Sequence, residues 1–350
     1  MSRLCSLGWG PFFSSQLSPA EARNLLPARA VEERGPRVAV RLDDGDRLAT
    51  VPGRLRAAGQ APVVGDFVLV PPGDDPPVGR VLARRTRLSR NVAGRRTAEQ
   101  LLAANVDLVL VVQGLDEGPN PRRLERTLAA VLAGGGEPTL ILTKPDLAAD
   151  LAAARAEAAA AVPGAQVLVA SGLTGEGVTE IARLLAPGRT GVFVGPSGAG
   201  KSTLVNALLG AAVQRTAEVR ARDARGRHAT AGRRLFALPG GGAVIDGPGI
   251  RELRLWDRSG LEPAFADVAA LAAACRFRDC RHEGEPGCAV AAAVEAGDLD
   301  GVRVESLRKL EREADLQAAR REVSAAQAER QRWKAIRREQ RRFQRDRGRR

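Results

Sequence analysis

The sequence predicts a chain of several domains: a small β-barrel, an α/β domain with a mostly parallel sheet, and a helical C-terminal region with a Cys/His cluster. Three observations predict this class. Short strands with turn residues run from Arg37 to about Asn91, and strands alternate with helices from about Asn105 to about Leu255. Three cysteines and a histidine then lie close together. With 350 residues the chain is long enough for two or three domains.

The barrel is assigned to residues 36–91, after an N-terminal extension over residues 1–35. "RVAVRLDDGDRLATV" alternates apolar and polar residues around an Asp-Asp-Gly-Asp turn, as a β-hairpin does. "PVVGDFVLVPP" and "VGRVLARRTRLSR" continue this pattern, and the second stretch adds five arginines. We therefore expect a small basic barrel of the oligonucleotide-binding (OB) type, with a purely structural barrel as the alternative.

The α/β domain is assigned to residues 92–255. "NVDLVLVVQG", "PTLILTKPD", "AQVLVAS", "TGVFVG", "RRLFAL" and "GGAVID" are typical of strands. "NPRRLERTLAAVLAGGG" is typical of a helix that begins near Pro121 and ends at glycines, and further helical segments separate the other strands. This alternation predicts a mostly parallel sheet that is covered by helices on both faces.

"GPSGAGKST" follows one predicted strand and opens a helix, which is the context of a phosphate-binding loop. Its backbone N–H groups can hold a β-phosphate at the helix N-terminus. Lys201 would reach the β- and γ-phosphates, and the Ser202 hydroxyl would bind Mg²⁺. Kinases of nucleoside monophosphates and transport ATPases carry similar loops, so the loop alone leaves the nucleotide open. The expected phosphate contacts are Gly195, Ser197, Gly198, Ala199, Gly200, Lys201, Ser202 and Thr203.

The stretch "TLILTKPDL" predicts a buried strand that ends in a base-reading motif. The Asp146 carboxylate can accept hydrogen bonds from guanine N1–H and the exocyclic amine, a donor pair that adenine lacks. Lys144 would lie along the base, and backbone amides at Ser171 and Gly172, on the next strand end, could meet guanine O6. Either motif alone could be an ordinary strand-to-helix turn. Two at successive strand ends, beside a phosphate loop, favour guanine.

"DGPG" ends another predicted strand and completes the set. Asp246 would hold Mg²⁺ through water, and the Gly249 amide could sense a γ-phosphate. A tight turn is the alternative, because Gly and Pro favour turns as well.

The order of these motifs is that of a circularly permuted P-loop GTPase: base-reading elements first, then phosphate loop, switch I and switch II. With "GRHAT" between the last two and a Cys/His cluster after them, the sequence resembles the RsgA (YjeQ) family of GTPases that depend on the small ribosomal subunit. The resemblance extends to "LGWGPFFSSQL" and "VVGDFVLV". It implies hydrolysis of GTP to GDP and phosphate, stimulated by that subunit, during its late maturation, with release after hydrolysis.

The base-reading and switch II motifs depart from the family pattern at four positions. Thr143 stands where Asn is usual, and Gly172 and Leu173 stand where Ala and Lys are common. Gly247 replaces Thr in "DTPG". None of these changes removes a group with an indispensable charge, and we keep Thr143 in the expected guanine site.

Catalysis is expected to depend on switch I. Ile250 stands where many signalling GTPases have a Gln that positions the attacking water, and Ile cannot hydrogen-bond water. The resemblance implies that His228 takes this role once the ribosome orders the loop; a solvated loop histidine is the alternative. Ala229 replaces the first Thr of "GRHAT", which leaves Thr230 as the candidate contact to the γ-phosphate and Mg²⁺.

"CRFRDCRHEGEPGC" supplies Cys275, Cys280, His282 and Cys288, a full tetrahedral set for one structural zinc ion. Disulfides are the rival interpretation, but they fit poorly with a cytosolic context. Cys5 is expected to lie outside the site. The cluster belongs to a zinc-binding domain with a basic helical tail, assigned to residues 256–350, and the resemblance places this domain and the barrel on the small ribosomal subunit.

Charge narrows the class of partner. The chain carries 54 basic against 41 acidic residues, a net charge of +13, and its last twenty residues contribute +8. Such a block indicates a polyanion, here ribosomal RNA on which Trp333 and Phe343 could stack, and a tail with only nonspecific RNA affinity is the alternative. No apolar run reaches the length of a membrane span and no secretory signal is recognisable. We therefore expect a cytoplasmic monomer with no membrane partner.

Two other functions fit part of the pattern. An RNA-binding scaffold could use its nucleotide site only to switch affinity, with negligible turnover. A P-loop kinase acting on a nucleotide would not explain the pair of Lys144 and Asp146.

Overall fold

The structure, a computed structural model, describes residues 2–92, 98–210, 233–246, 253, 257–319, 323 and 330. Within them, one mixed sheet of eleven strands forms the centre of the molecule and a two-stranded sheet lies apart from it. The strands are β1 Leu26–Arg34, β2 Arg37–Arg41, β3 Asp46–Thr50, β4 Phe67–Val70, β5 Arg80–Val81, β6 Arg87–Val92, β7 Ala98–Ala104, β8 Leu108–Gly114, β9 Glu137–Thr143, β10 Gln166–Ala170, β11 Thr190–Val194, β12 Arg234–Ala237 and β13 Ala243–Asp246.

The expected parallel sheet is confirmed. Its strand order is β10-β9-β8-β11-β13, all parallel, followed by β12, which is antiparallel to β13. The chain enters at β8 and builds outward to β10, then returns to β11 on the other side of β8. Ligands of open α/β sheets bind outside the carboxyl ends of the strands at such a reversal point.

Strand β8 shows why the sheet centre is buried on both faces. All seven of its residues are buried, and alternate side chains point to opposite faces of the sheet. Val109 and Val111 share a core with Leu124, and Leu110 shares a second core with Leu204. These two cores hold the covering helices and fix the strand ends that carry the motifs.

The helices of the α/β part follow the sequence prediction. The helix Pro121–Ala133 begins with Asn120, whose Oδ1 accepts from the Arg123 backbone N–H at 3.0 Å, and it ends at Gly134. Among the described residues, the other helices are Arg3–Ser6, Pro11–Ser14, Pro19–Asn24, Gly53–Ala57, Leu151–Ala161, Val178–Leu184, Lys201–Leu209, Leu261–Ala264, Ala266–Ala272, Ala289–Ala296 and 301–319, and Pro145–Leu147 is a 3₁₀ turn.

The N-terminal strands include two that the sequence analysis did not assign. The β2–β3 hairpin is confirmed, but its neighbour β1 lies within residues 1–35 and pairs with β2, with β4 and, at Glu32, with Arg234 of β12. Its buried residues are consecutive and include Arg29, so it lacks the alternation of a half-buried strand. The other is β7, which pairs with β6.

Arg29 ties the N-terminal strands to the α/β part. Its guanidinium is fully buried, donates to the carbonyl oxygens of Leu7 and of Asn105, the latter at 2.9 Å, and lies over the Phe67 ring. Burial lowers the pKa of Arg29 to about 10. Asn105, in a left-handed conformation, also donates from Nδ2 to the Gly65 carbonyl at 3.0 Å.

The helix 301–319 packs against helix Pro121–Ala133. Arg303 and Glu125 form a buried ion pair at 2.9 Å, and Arg303 also pairs with Asp267 at 2.6 Å. Burial raises the pKa of Glu125. Among the described residues, no helix combines the length and the apolar composition that a membrane span requires.

Candidate nucleotide site and Cys/His cluster

The phosphate-binding loop leaves the end of β11 and runs into helix Lys201–Leu209. Gly195, Gly198 and Gly200 have φ of 143°, 83° and 87°, backbone conformations that residues with a side chain rarely adopt. A Cβ on Gly195 would lie 2.3 Å from the Val112 carbonyl oxygen, so glycine is required beside β8. Lys201 is 6% exposed, and its Nζ donates to the carbonyl oxygens of Gly195, at 2.8 Å, and of Pro196. The ammonium therefore lies inside the loop.

Thr143, at the end of β9, joins the base-reading motif to this loop. Its Oγ1 donates to the Ala199 carbonyl oxygen at 2.7 Å and lies 3.3 Å from the Gln113 carbonyl oxygen. A Cβ on Gly200 would lie 3.6 Å from the Thr143 side chain. The structure thus brings the two motifs into direct contact, although 56 positions separate Thr143 from Ala199.

Lys144 and Asp146 follow at the same edge of the sheet. Lys144 has φ 58°, and its Nζ forms an ion pair with Asp116, which follows β8. The hydrogen bond from Lys144 lowers the pKa of Asp116. Asp146 lies in the 3₁₀ turn, exposed, and its carboxylate has no partner among the residues that the structure describes. This carboxylate is open to a ligand.

The next strand end, after β10, lies against the phosphate-loop helix. Ser171 is buried, and its backbone N–H donates to the Glu176 carbonyl at 2.9 Å, which closes the turn. A Cβ on Gly172 would lie 2.7 Å from the Thr203 carbonyl carbon, so this backbone packs directly on the helix. Glycine in place of the usual alanine allows that approach, and Leu173 beside it is 89% exposed.

Asp246 is the last residue of β13 and is 7% exposed. Because β13 is parallel to β11, with Val192 opposite Ile245, Asp246 lies at the edge that carries the phosphate loop. The switch residues His228, Ala229, Thr230, Gly247, Gly249 and Ile250 lie outside the described residues.

Sequence reasoning missed the loop that follows β8. Gln113 is buried and donates from Nε2 to the carbonyl oxygens of Gly114 and Gly118, both at 2.8 Å, while its Oε1 accepts from Arg123 at 2.7 Å. These bonds hold the loop that presents Asp116 to Lys144. The sequence feature that could have indicated this loop is Asp116, an acidic residue that follows a predicted buried strand, as the other motifs do.

The Cys/His cluster is assembled as expected. The ligand atoms of Cys275, Cys280, His282 and Cys288 all lie within 4.8 Å of one another. Cys275 Sγ lies 3.6 Å from His282 Nδ1 and 3.9 Å from Cys288 Sγ. A tetrahedral zinc ion with Zn–S bonds of about 2.3 Å would separate its sulfur ligands by about 3.8 Å. The four groups therefore fit zinc, and Cys5 lies outside the cluster.

A phosphate loop at the reversal point of a parallel sheet, with a base-reading motif on strands earlier in the chain, defines a P-loop nucleotide-binding domain of permuted strand order. The sequence profile of the RsgA GTPase family matches residues 81–256. The chain is 44% identical to the small ribosomal subunit biogenesis GTPase RsgA of Opitutus terrae, with 95% of each chain covered. It is 43% identical to the protein of that name from Streptomyces coelicolor, covering 89% of this chain and 87% of the relative. The chain belongs to the RsgA GTPase family, as its motifs predicted.

Solved structures agree on the fold. The crystal structure of YjeQ from Thermotoga maritima matches with a TM-score of 0.63 at 24% identity, over 83% of this chain and 98% of that one. YloQ, a circularly permuted GTPase, matches with a TM-score of 0.60 at 24% identity, over 83% of this chain and 95% of its own. The permuted order expected from the motifs is therefore confirmed.

Proposed function

We propose that this chain hydrolyses GTP and acts in the biogenesis of the small ribosomal subunit. The names of relatives that align over nearly the whole chain support this function. Within the candidate site, the hydrogen bond from Thr143 to Ala199 is the observation that supports this function best. It places the predicted guanine-binding motif against the phosphate-binding loop. The exposed Asp146 carboxylate would then accept from guanine, and the stem of Lys144 would line the base.

The phosphates would be held by the loop from Gly195 to Thr203. Lys201 would replace its hydrogen bonds to loop carbonyls with hydrogen bonds to phosphate oxygens. It lies at the N-terminus of a helix, where the helix dipole favours negative charge. Ser202 and Asp246 would hold Mg²⁺, which neutralises charge on the phosphates when bound. Ser171 and Gly172 would complete the base pocket.

The catalytic roles remain those expected from the sequence. We propose that His228 positions the attacking water, and that Thr230 and Gly249 contact the γ-phosphate. His228→Ala should abolish the turnover stimulated by small subunits, while GDP and GTP affinities stay at wild-type values, because the substitution leaves the base and phosphate contacts intact. Unchanged stimulated turnover would remove His228 from the mechanism.

The remaining assignments follow from the same proposal. The pairing among β2–β5 supports an OB-type barrel over residues 36–91, to which the N-terminal extension adds β1, ahead of the GTPase domain at 92–255. The Cys/His cluster would hold one structural zinc ion in a C-terminal domain over residues 256–350. The net charge of +13 supports small-subunit rRNA as the partner. We propose that the protein is a cytoplasmic monomer when it is not bound to the subunit.

Turnover assays test this function directly. GTP hydrolysis is measured with and without small ribosomal subunits, with ATP in place of GTP as the control. We expect stimulation with GTP and none with ATP, because adenine cannot supply the two donors that Asp146 accepts. A scaffold that only switches affinity would bind subunits in a nucleotide-dependent way, yet its single-turnover GTP hydrolysis would be as slow with subunits as without.

A further inference from the structure

The β8 loop, residues 115–118 directly after strand β8, places a carboxylate beside the base-reading motif. The carboxylate belongs to Asp116, which forms an ion pair with Lys144 Nζ. A Cβ on Gly114 would collide with Asp116 Oδ1 and would lie 3.7 Å from Ala199 Cα, in the phosphate-binding loop. The carboxylate therefore folds back over the backbone of Gly114, close to the phosphate-binding loop.

The β8 loop is held at both ends by hydrogen bonds to other parts of the site. Its first residue, Leu115, donates from its backbone N–H to the Thr143 carbonyl oxygen at 2.9 Å. At its last residue, the Gly118 carbonyl oxygen accepts from Gln113 Nε2 at 2.8 Å. The fold therefore keeps the Asp116 carboxylate in place by bonds other than its ion pair.

Lys144 is the flexible partner of this pair. Its backbone has φ 58°, a left-handed conformation that is unfavourable for a residue with a side chain and that is found most often at functional sites. A lysine side chain is a flexible four-carbon stem, and ordering it costs conformational entropy. The ion pair with Asp116 fixes the end of this stem before a nucleotide binds.

Folding stability does not explain the pair. The side chains of Lys144 and Asp116 are 29% and 38% exposed, and ion pairs as exposed as this contribute little to stability. The hydrogen bond from Lys144 lowers the pKa of Asp116, so the carboxylate is charged at neutral pH. The main consequence of the pair is therefore local, the orientation of one side chain at the candidate site.

We infer that Asp116 is a positioning residue for guanine nucleotides, because it holds Lys144 in the orientation in which the stem of Lys144 lies along the base. This role rests on the proposed function, in which that stem lines the guanine. A side chain that is already ordered loses less entropy when the ligand binds, which increases affinity. The gain should be the same for GDP and GTP, since the pair acts at the base and not at the γ-phosphate.

Charge alone predicts the opposite effect. The Asp116 carboxylate lies near the phosphate-binding loop, and a negative charge there repels an anionic nucleotide. If this repulsion dominated, Asp116→Asn would strengthen nucleotide binding. Positioning of Lys144 predicts weaker binding in the same variant, so the sign of the change in Kd separates the two effects.

The test compares Asp116→Asn with Glu117→Gln in the full-length chain. Glu117 is exposed and forms no ion pair with any residue that the structure describes, and its substitution removes the same charge one position away. The Kd values for GDP and GTP are measured with fluorescent analogues. KM and kcat come from GTP hydrolysis without ribosomal subunits, and circular dichroism gives the thermal midpoint.

We expect Asp116→Asn to raise the Kd for GDP and for GTP about fivefold. KM should rise by the same factor while kcat stays unchanged, because the lost interaction supports the bound substrate and the transition state equally. The thermal midpoint should stay at the wild-type value, since the pair is exposed. Glu117→Gln should bind both nucleotides as tightly as the wild type, or slightly more tightly.

A double-mutant cycle with Lys144→Met links the effect to Lys144. Methionine has no ammonium group, so Asp116→Asn should cause no further change in Kd in the Lys144→Met background. A loss of affinity that comes from misfolding or from a distorted loop would persist in that background. The cycle therefore separates positioning of Lys144 from a general structural effect.

Three outcomes would overturn the inference: a Kd for GDP in Asp116→Asn at or below the wild-type value, an equal loss in Glu117→Gln, or a loss that persists in the Lys144→Met background. ADP tests the proposed function separately. If the wild type binds ADP as tightly as GDP, base reading by Asp146 is refuted, whatever the cycle shows. If the wild type prefers GDP but the cycle shows no coupling, only the role of Asp116 is refuted.

Discussion

At the residue scale, Thr143 departs from the usual motif and still makes a hydrogen bond between the two parts of the candidate site. Its hydroxyl donates to the Ala199 carbonyl at 2.7 Å, so the base-reading strand and the phosphate loop are joined although the usual Asn is missing. Thr143 is 3% exposed, which makes the loss of this bond costly because the carbonyl would stay buried and unpaired.

Thr143→Val should therefore weaken GDP binding by about fivefold to tenfold and destabilise the protein by about 1–3 kcal/mol, because valine has the same shape but no donor. Equilibrium binding of a fluorescent GDP analogue and urea unfolding would measure the two effects.

Thr190→Val provides the matched control. Thr190 is fully buried, and its Oγ1 has no hydrogen-bond partner in the part of the chain that the structure describes, so replacing it should leave stability unchanged or slightly raised. Equal losses for the two variants would mean that the Thr143 hydroxyl contributes nothing specific to the site.

At the element scale, helix Pro121–Ala133 connects the GTPase part to the C-terminal region. One face carries Leu124 and Leu128 into the core, and its polar residues pair with helix 301–319. The Arg303–Glu125 pair is buried, whereas Arg126–Glu313, at 2.7 Å, is partly exposed. Breaking a buried ion pair destabilises a protein more than breaking an exposed one.

Arg303→Met should lower the free energy of unfolding by about 3–5 kcal/mol, because it leaves the Glu125 carboxylate buried and unpaired. Arg126→Met, the control, should cost about 1 kcal/mol or less. Urea unfolding at pH 7 measures both, and comparable effects would contradict the larger contribution expected of the buried Arg303–Glu125 pair.

The same variant makes a prediction about pH. Burial already raises the pKa of Glu125. An acid whose pKa is raised by folding contributes stability below its unfolded pKa and loses it as pH rises through the folded pKa. Removing Arg303 raises the folded pKa further, so the deficit of Arg303→Met should shrink as pH falls from 7 toward 5. If the difference in unfolding free energy between the wild type and Arg303→Met does not change with pH, the Glu125 carboxylate is not the cause of the destabilisation.

The Cys/His segment has little regular structure apart from the helix that begins after Cys288, so a metal would supply much of its stability. We expect about one zinc per chain by elemental analysis, and its loss in Cys280→Ser together with a lower thermal midpoint for this region. Cys5→Ser should retain the metal. GDP affinity should survive in both, because the cluster contributes no group to the nucleotide site. Zinc retained by Cys280→Ser would contradict the proposed ligand set.

At the scale of the whole molecule, the N-terminal strands and the GTPase part share one sheet and one buried cation. Strand β1 pairs with β12, Arg29 contacts Leu7 and Asn105, and a Cβ on Gly65 would lie 2.1 Å from the Ala104 carbonyl oxygen. Contacts this close leave little room for one part to unfold while the other stays folded.

A ligand of the nucleotide site should therefore stabilise the distant N-terminal strands. With Trp256→Phe and Trp333→Phe, the fluorescence of Trp9 reports on these strands, since Trp9 packs 5.3 Å from the Phe67 ring. GDP at about 100 times its Kd should raise the free energy of unfolding by about 2.7 kcal/mol. The increase should be the same whether unfolding is followed by Trp9 fluorescence or by circular dichroism. An unshifted Trp9 transition would mean that the two parts unfold independently.

The kinds of element and the chemistry of the motifs can be predicted from short stretches of the sequence. Strands such as β8 and β9 contain runs of consecutive apolar residues, and the glycines of the phosphate loop are required by local backbone conformation, so both can be recognised within a few residues. The ligand set from Cys275 to Cys288 is similarly local, with short spacings that suit a tetrahedral metal.

The packing of the folded chain, in contrast, determines which distant residues act together. The bond from Thr143 to Ala199, the pair of Lys144 and Asp116, and the packing of Gly172 on Thr203 join positions that are far apart in sequence. Strand β1 was missed for a related reason: its buried Arg29 is tolerated only because carbonyls of two other segments accept from it. Such contacts depend on how elements pack, and the periodicity of a single segment carries no information about the surface it will meet.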